Sequence, residues 1–187
     1  MRGKAVYIKS PRHAIRAGLG VVPDERRILG LNMLYSIKEN TILASMGKFR
    51  KWKVFQDHGK EAKAAFEINK KLNLRYYSLW QLISKLSGGN QQKVVLAKWM
   101  LRDCDIFLLD EPTRGIDIGA KFEIYALINE LAKAGKAVIL VSPELEEIIG
   151  LSNKVYVLYE GKVMDVVEDE HITQEVIIHD LLGVKEV

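Results

Sequence analysis

A single cysteine among 187 residues, Cys104, excludes an internal disulfide, and a lone cysteine ahead of an apolar run fits a reducing cytosol. No apolar run approaches the roughly 20 residues that a membrane span needs, and the N-terminal residues lack the apolar core of a secretory signal. Neither sign of charge is missing: 28 Lys and Arg stand against 24 Asp and Glu, interspersed, for a net charge of +4. That balance excludes a disordered polyelectrolyte. It also lacks the concentrated basic face of a nucleic-acid domain, so no nucleic-acid partner is expected. The densest basic run, Lys48 to Lys53, reads as a solvated loop or subunit contact. His13, His58, His171 and His179 are scattered without ligand spacing, which argues against a metal centre built on histidine. Trp52, Trp80 and Trp99 read as core or interface residues. No internal repeat or low-complexity tract is present.

What is present is α/β punctuation. Lys4 to Ile8 predicts a short strand, and Ser10-Pro11 caps a helix that stops at Gly18. Leu19 to Val22 predicts a second strand ended by Pro23, followed by the charged loop Asp24-Glu25-Arg26-Arg27. Ser36 and Glu39 form a capping box whose helix runs through Leu43. Asp57 to Leu72 predicts a longer helix with Ala62, Phe66, Ile68 and Leu72 on one side. Leu79, Leu82, Ile83 and Leu86 keep helical spacing after it. Residues 31–86 are thus mostly helical between α/β flanks at 1–30 and 87–187, the pattern of a helical lobe inserted in an α/β core. Beyond it come a helix from Asn90 with Val94, Val95, Ala97, Trp99 and Leu101 inward, and buried strands at Ile106–Leu109 and Ala137–Val141. Between those strands Ala120–Ala134 is helical, with Phe122, Ile124, Tyr125, Leu127, Ile128 and Leu131 and a C-cap at Gly135. A short helix at Pro143–Gly150, a hairpin turning at Glu160-Gly161 and a helix capped by Thr173, carrying Val176, Ile177 and Leu181, complete the reading.

Two stretches carry chemistry. In Leu86-Ser87-Gly88-Gly89-Asn90-Gln91-Gln92-Lys93, a serine and two glycines open onto a helix. The N–H groups of Gly88, Gly89 and Asn90 then lack intrahelical acceptors and, with the helix dipole, suit an anion. In Ile106-Phe107-Leu108-Leu109-Asp110-Glu111, a buried strand ends in two carboxylates, one able to support Mg²⁺ and the other to act on a water.

Together these residues resemble the ATP-binding cassette (ABC) ATPases. Leu86 to Lys93 is similar to their signature motif, with Asn90 where glutamine is usual. Ile106 to Glu111 resembles the Walker B strand, and Thr113 to Asp117 the D-loop. The runs Gly-Gly-Asn-Gln-Gln-Lys, Asp110 to Lys121, Val22 to Arg27 and Ser36 to Asn40 look most like the second cassette of ribose/galactose/xylose-type sugar importer ATPases, from about Gly3 to the final helix. The resemblance implies a P-loop NTPase-like (RecA-like) α/β core with an inserted helical subdomain, working with ATP and Mg²⁺. It implies a head-to-tail partner cassette with an intact P-loop and sugar permease subunits that meet the helical lobe. The setting implied is cytoplasmic, at the inner face of the cell membrane.

By position, Ser87, Gly88, Gly89 and Asn90 would touch the partner's nucleotide. Asp110 would support Mg²⁺ through water, Glu111 would act on the hydrolytic water, Asp117 would bridge the two sites, and Asp24 would take the Q-loop position. Three features depart from the family. The sequence contains no Gly-x-x-x-x-Gly-Lys-Ser/Thr, so the cassette is expected to be N-terminally incomplete and inactive alone. Pro143 stands at the switch-histidine position, and Asp24 replaces glutamine. The expectations are therefore an ATP-hydrolysing component of a monosaccharide importer or, alternatively, a non-catalytic module that completes a partner's ATP site. Chromosome-maintenance ATPase heads share the signature and Walker B but are separated by long coiled coils, and no heptad array lies between the motifs here.

Overall fold

A computed structural model describes residues 5–51 and 55–181. Lys4 of the first expected strand, and Trp52 and Lys53 of the basic run, lie outside the described residues. The chain divides into two compact units, Met1–Ile139 and Leu140–Val187. No described helix is long and apolar enough to cross a membrane.

In the first unit, Ser10 accepts from the His13 N–H and caps α1 (Pro11–Arg16). The expected strand before it is not formed. Ala5 to Ile8 pair with no strand among the described residues, and Tyr7 is 78% exposed: an apolar run without a ladder partner forms no strand. β1 (Leu19–Val22) runs parallel to β4 (Ile106–Asp110), Leu19 beside Ile106 and Val22 beside Leu109. The sheet order is β1-β4-β5, with β5 at Ala137–Val141. β5 is not the buried strand expected. It closes the sheet as an edge, and Ile139 is 55% exposed.

Between β1 and β4 the capping box forms as read: Ser36 Oγ accepts from the Glu39 N–H and Glu39 reaches back to the Ser36 N–H, starting α2 (Ile37–Ile42). A 3₁₀ turn (Leu43–Phe49) and two paired short strands, β2 (Arg50–Lys51) and β3 (Phe55–Gln56), lead to α3 (His58–Lys71). The inward face of α3 differs from the apolar reading. Glu61, Ala65 and Asn69 are buried, while Phe66 is exposed. Polar partners decide this. Glu61 accepts from Lys38 Nζ and meets His58 Nδ1, each at 3.0 Å, and Asn69 bonds Thr41. Burial raises the Glu61 carboxyl, but the hydrogen bonds from His58 and Lys38 outweigh it and hold it below the usual range. Tyr76 to Leu86 is not a helix. Ile37 and Lys38 donate to the carbonyls of Gln81 and Leu79, which pins the segment as a loop with one 3₁₀ turn at Ile83–Lys85; Leu79, Ile83 and Leu86 are buried and Leu82 is exposed.

α4 (Gly88–Arg102) is the hub of the first unit, packing on α2, α3, β1 and α5 (Ile118–Lys133). Val94, Val95, Leu96 and Ala97 are fully buried, so the helix is enclosed on all sides in its middle. Trp99 is only partly buried, and Trp80 is exposed. On α5, Ile124, Leu127, Ile128 and Leu131 face inward as expected, but Phe122 is 65% exposed.

The second unit packs β6 (Lys154–Tyr159) and β7 (Lys162–Glu168), antiparallel through the Glu160-Gly161 turn, with α6 (Leu145–Leu151) and α7 (Gln174–Leu181). Val155, Val157, Val167, Ile172 and Ile177 form its core. α6 starts two residues after Pro143 because Ser142 Oγ captures the Glu144 N–H at 3.0 Å. Thr173 Oγ1 accepts from the Val176 N–H, as read, but only Ile177 of the three expected apolar positions is deeply buried.

Lys98 on α4 is buried, donates to the Gly30 carbonyl at 2.7 Å and lies over the Trp99 ring, and burial pushes its ammonium down to about 8. The unfolded chain keeps that proton to a higher pH, so between these values it binds more protons and stability rises with pH. Urea unfolding at pH 7.5 and 9.5 should show the native chain gaining about 2 kcal/mol relative to Lys98→Met. Equal slopes for the two proteins would contradict this.

Candidate functional site

Ser87 sits at the N-cap of α4 in extended conformation, yet its hydroxyl makes no capping bond to its own helix. Instead Ser87 Oγ accepts from Asn90 Nδ2 at 2.9 Å, while Asn90 Oδ1 accepts from the Arg75 N–H at 3.0 Å. The Ser87 hydroxyl hydrogen therefore stays available, alongside the donors of the helix's first turn. Asn90 is a strap from that turn to the loop at Arg75.

Close approach requires glycine at 89 and leaves little room for a side chain at 88. A Cβ on Gly89 would lie 2.4 Å from Ala120 Cβ, and one on Gly88 would lie 2.7 Å from Arg26 Nη2 and 3.1 Å from the Gly115 carbonyl oxygen. α4 thus begins against the start of α5, and Asp117 is the residue that starts α5, accepting from the Ala120 N–H at 2.9 Å. Ser87, Gly89, Asn90 and Asp117 consequently share one cleft of about 250 Å³ with Arg75 and Glu123. Glu123 is paired with Lys93, whose ammonium is 2.8 Å away.

A second cluster lies at the C-terminal ends of β1 and β4. Asp110 is exposed and has no ion-pair partner among the described residues. Glu111 is held at φ 42°, a left-handed conformation that a non-glycine residue adopts only when its surroundings impose it. Pro112 and Thr113, which follow it, are buried. Arg114 Nη1 donates to Asp24 Oδ2 at 3.0 Å, and its Nε lies 3.7 Å from Glu111 Oε2. Asp24 and Glu111, 87 positions apart in the chain, are gathered on one guanidinium. Arg26 donates in turn to the carbonyls of Arg114 (2.7 Å) and Gly115 (3.2 Å).

Of the expected site residues, four meet in the cleft, two meet on Arg114, Gly88 stands against Arg26, and Asp110 stands by itself. Arg26, Arg75 and Arg114 were missed as site residues. Only their charge beside Asp24 and Glu111 could have signalled Arg26 and Arg114, and nothing local marks Arg75. The donor set suits Mg²⁺ in company only. One or two carboxylates at a strand end match a cation that keeps waters and takes further oxygens from phosphate.

The family model for ABC transporters matches residues 2–114. The chain is 45% identical over 183 residues to the xylose import ATP-binding protein XylG of Geobacillus kaustophilus, covering 98% of this chain and 36% of that protein. It is 44% identical over 181 residues to the ribose import ATP-binding protein RbsA of Halalkalibacterium halodurans, covering 97% of this chain and 36% of that protein. The chain thus spans about a third of the length of the curated relatives it matches. Among solved structures, a dimeric ATP-binding cassette in a post-hydrolysis state with ADP and Pi aligns with TM-score 0.70 at 23% identity, over 86% of this chain and 68% of that one. The ADP conformation of an ATP-binding cassette of an ABC transporter aligns with TM-score 0.72 at 19% identity, over 94% and 72%. These likenesses show the fold.

Replacing Gly89 by alanine should cost about 1–3 kcal/mol in urea unfolding, because Ala120 has no rotamer with which to yield. Adding Ala120→Gly should recover part of that loss. An unchanged midpoint for Gly89→Ala would refute the close packing.

Proposed function

The chain belongs to the ABC transporter family, and we propose that it acts in a monosaccharide importer as the part of an ATP-binding cassette that carries the signature, Walker B and D-loop. The observation that carries this reading is the α4 start: a serine hydroxyl hydrogen not spent on capping its own helix, beside Gly89, packed so closely on Ala120 that no side chain fits there. The identity to xylose and ribose import ATP-binding proteins supports the sugar.

In this reading Ser87 donates its hydroxyl hydrogen, and Gly88, Gly89 and Asn90 their N–H groups, to phosphate oxygens of a nucleotide held by the P-loop of a partner cassette. Asp110 holds Mg²⁺ through water on this chain's own side, and Glu111 accepts a proton from the attacking water at its carboxylate. MgATP, when bound, supplies the phosphoryl group and the charge that these residues answer. Asp117 bridges the two sites from the start of α5, and Asp24 takes the Q-loop position. Residues 31–86 act as the helical subdomain that meets the permease. The backbone bonds that tie Tyr35–Lys38 to Leu79–Ile83 set exposed Leu34, Tyr35, Trp80 and Leu82 along one edge, an apolar and aromatic surface suited to a protein partner at the inner face of the membrane.

A second reading has its own observation. These 187 residues contain no Gly-x-x-x-x-Gly-Lys-Ser/Thr, which favours a half-site module that completes a partner's site and hydrolyses nothing at its own. Both readings predict that this chain alone shows no MgATP binding in calorimetry at millimolar nucleotide; tight Mg²⁺-dependent binding would overturn that. Mixed with a cassette carrying an intact P-loop, it should stimulate ATP turnover, and Ser87→Arg should abolish the stimulation. Equal stimulation by Ser87→Arg would defeat the role given to α4. Glu111→Gln, with stimulation unchanged, would select the half-site reading.

A further inference from the structure

Under the reading above, residues facing two different nucleotides lie on three segments: Asp24 after β1, Glu111 to Asp117 after β4, and Ser87 to Asn90 at the start of α4. One side chain touches all three. Arg26, two residues beyond Asp24, sends Nη1 to the Arg114 carbonyl and Nη2 to the Gly115 carbonyl. Its Nη2 also fills the space where a side chain at Gly88 would begin. Arg114 closes the loop in the opposite direction, its guanidinium returning to Asp24 at 3.0 Å and approaching Glu111 at 3.7 Å. The next residue, Arg27, fastens the same segment to α4 through Nε to Gln91 Oε1 at 3.2 Å.

The geometry points to Arg26 as a positioning residue that couples this chain's own-site carboxylates to the first turn of α4, so that a change at Asp24 or Glu111 is felt at Ser87–Asn90. The inference rests on the proposed assignment of those two groups to different nucleotides. Its physical content is the planar fork. A guanidinium sets two donors on separate nitrogens at a fixed spacing, one for each of the two carbonyls, whereas a lysine ammonium at the same place would draw every bond from one nitrogen. Burial and the neighbouring Arg27 both push the Arg26 guanidinium below its ordinary value, so this charge is held where it is disfavoured. Asp24 is the outer end of the coupling, because its carboxylate holds Arg114, whose backbone Arg26 grips.

Amide hydrogen exchange of the full chain, read by NMR, tests this without nucleotide or partner. The reporters are Arg114 and Ile116, whose N–H groups donate to Glu111 and Thr113, and Gln91, whose N–H donates to Ser87. Asp24→Asn should accelerate exchange at Arg114 and Ile116 and also at Gln91, by about three- to tenfold. In the Arg26→Lys background the effect of Asp24→Asn should persist at Arg114 and Ile116 and vanish at Gln91. The same acceleration at Gln91 in both backgrounds, or none in the native one, overturns the coupling. The amides of Val94 to Ala97, fully buried in the middle of α4, report that each variant's first unit is folded. If Arg26→Lys is not, Arg114→Lys serves instead, and in that background Asp24→Asn should move none of the three reporters; movement at Gln91 overturns the coupling. Since no turnover is measured, loss of partner stimulation with exchange coupling intact would sink the proposed function alone. Intact stimulation without exchange coupling would sink this inference alone.

Discussion

The contact on which the rest depends is the one between the first turn of α4 and the segment that starts α5. At Gly89 the two helices approach until a single methyl group would collide with Ala120. Packing of that density transmits displacement rather than absorbing it, because the interior has neither voids nor spare rotamers to take up a shift. The contact places Asp117 beside Ser87 and Asn90 in one cleft, and it brings the Gly115 carbonyl to within reach of Arg26. It also fixes the end of α4 whose first-turn N–H donors have no acceptor within the helix, while the middle of the same helix is enclosed by α2, α3, α5 and β1. A helix buried along its centre and open at its N-terminus is a rigid mount for a small set of polar donors.

Charge is distributed accordingly. At the α4 end the polar groups are mutually satisfied and leave one hydroxyl hydrogen and the first-turn amides for an outside acceptor. At the strand ends the carboxylates of Asp24 and Glu111 are gathered on Arg114, and Asp110 stands beside them exposed. The first place has the chemistry to take an anion and the second that to take a hydrated cation, which is the basis of the proposed function.

Much of this was legible in the sequence where local chemistry decides structure. The Ser36–Glu39 capping box, the Ser10-Pro11 helix start, the Glu160-Gly161 turn and the strand ended by Pro23 all formed because each depends on residues a few positions apart. The serine-glycine-glycine start of α4 was legible for the same reason. The failures share a cause as well. Ala5 to Ile8 are apolar like a short strand but pair with no strand among the described residues. α3 turns Glu61 and Asn69 inward because Lys38 and Thr41 wait for them on another element, α2, with His58 joining Glu61 from one turn earlier on α3 itself. Leu79 to Leu86 keep helical spacing, yet backbone bonds to Ile37 and Lys38 hold them as a loop. Arg26 and Arg114 were visible as charges, but their reciprocal grip exists only once β1 and β4 lie side by side.

The central claim is that Ser87 to Asn90 face a nucleotide held elsewhere. The most direct measurement is the NMR shift of the Ser87, Gly88, Gly89 and Asn90 amides on adding MgATP, a cassette with an intact P-loop, or both. The account predicts that these amides move only when nucleotide and partner cassette are present together. Movement with MgATP alone, or no movement with both, would contradict it.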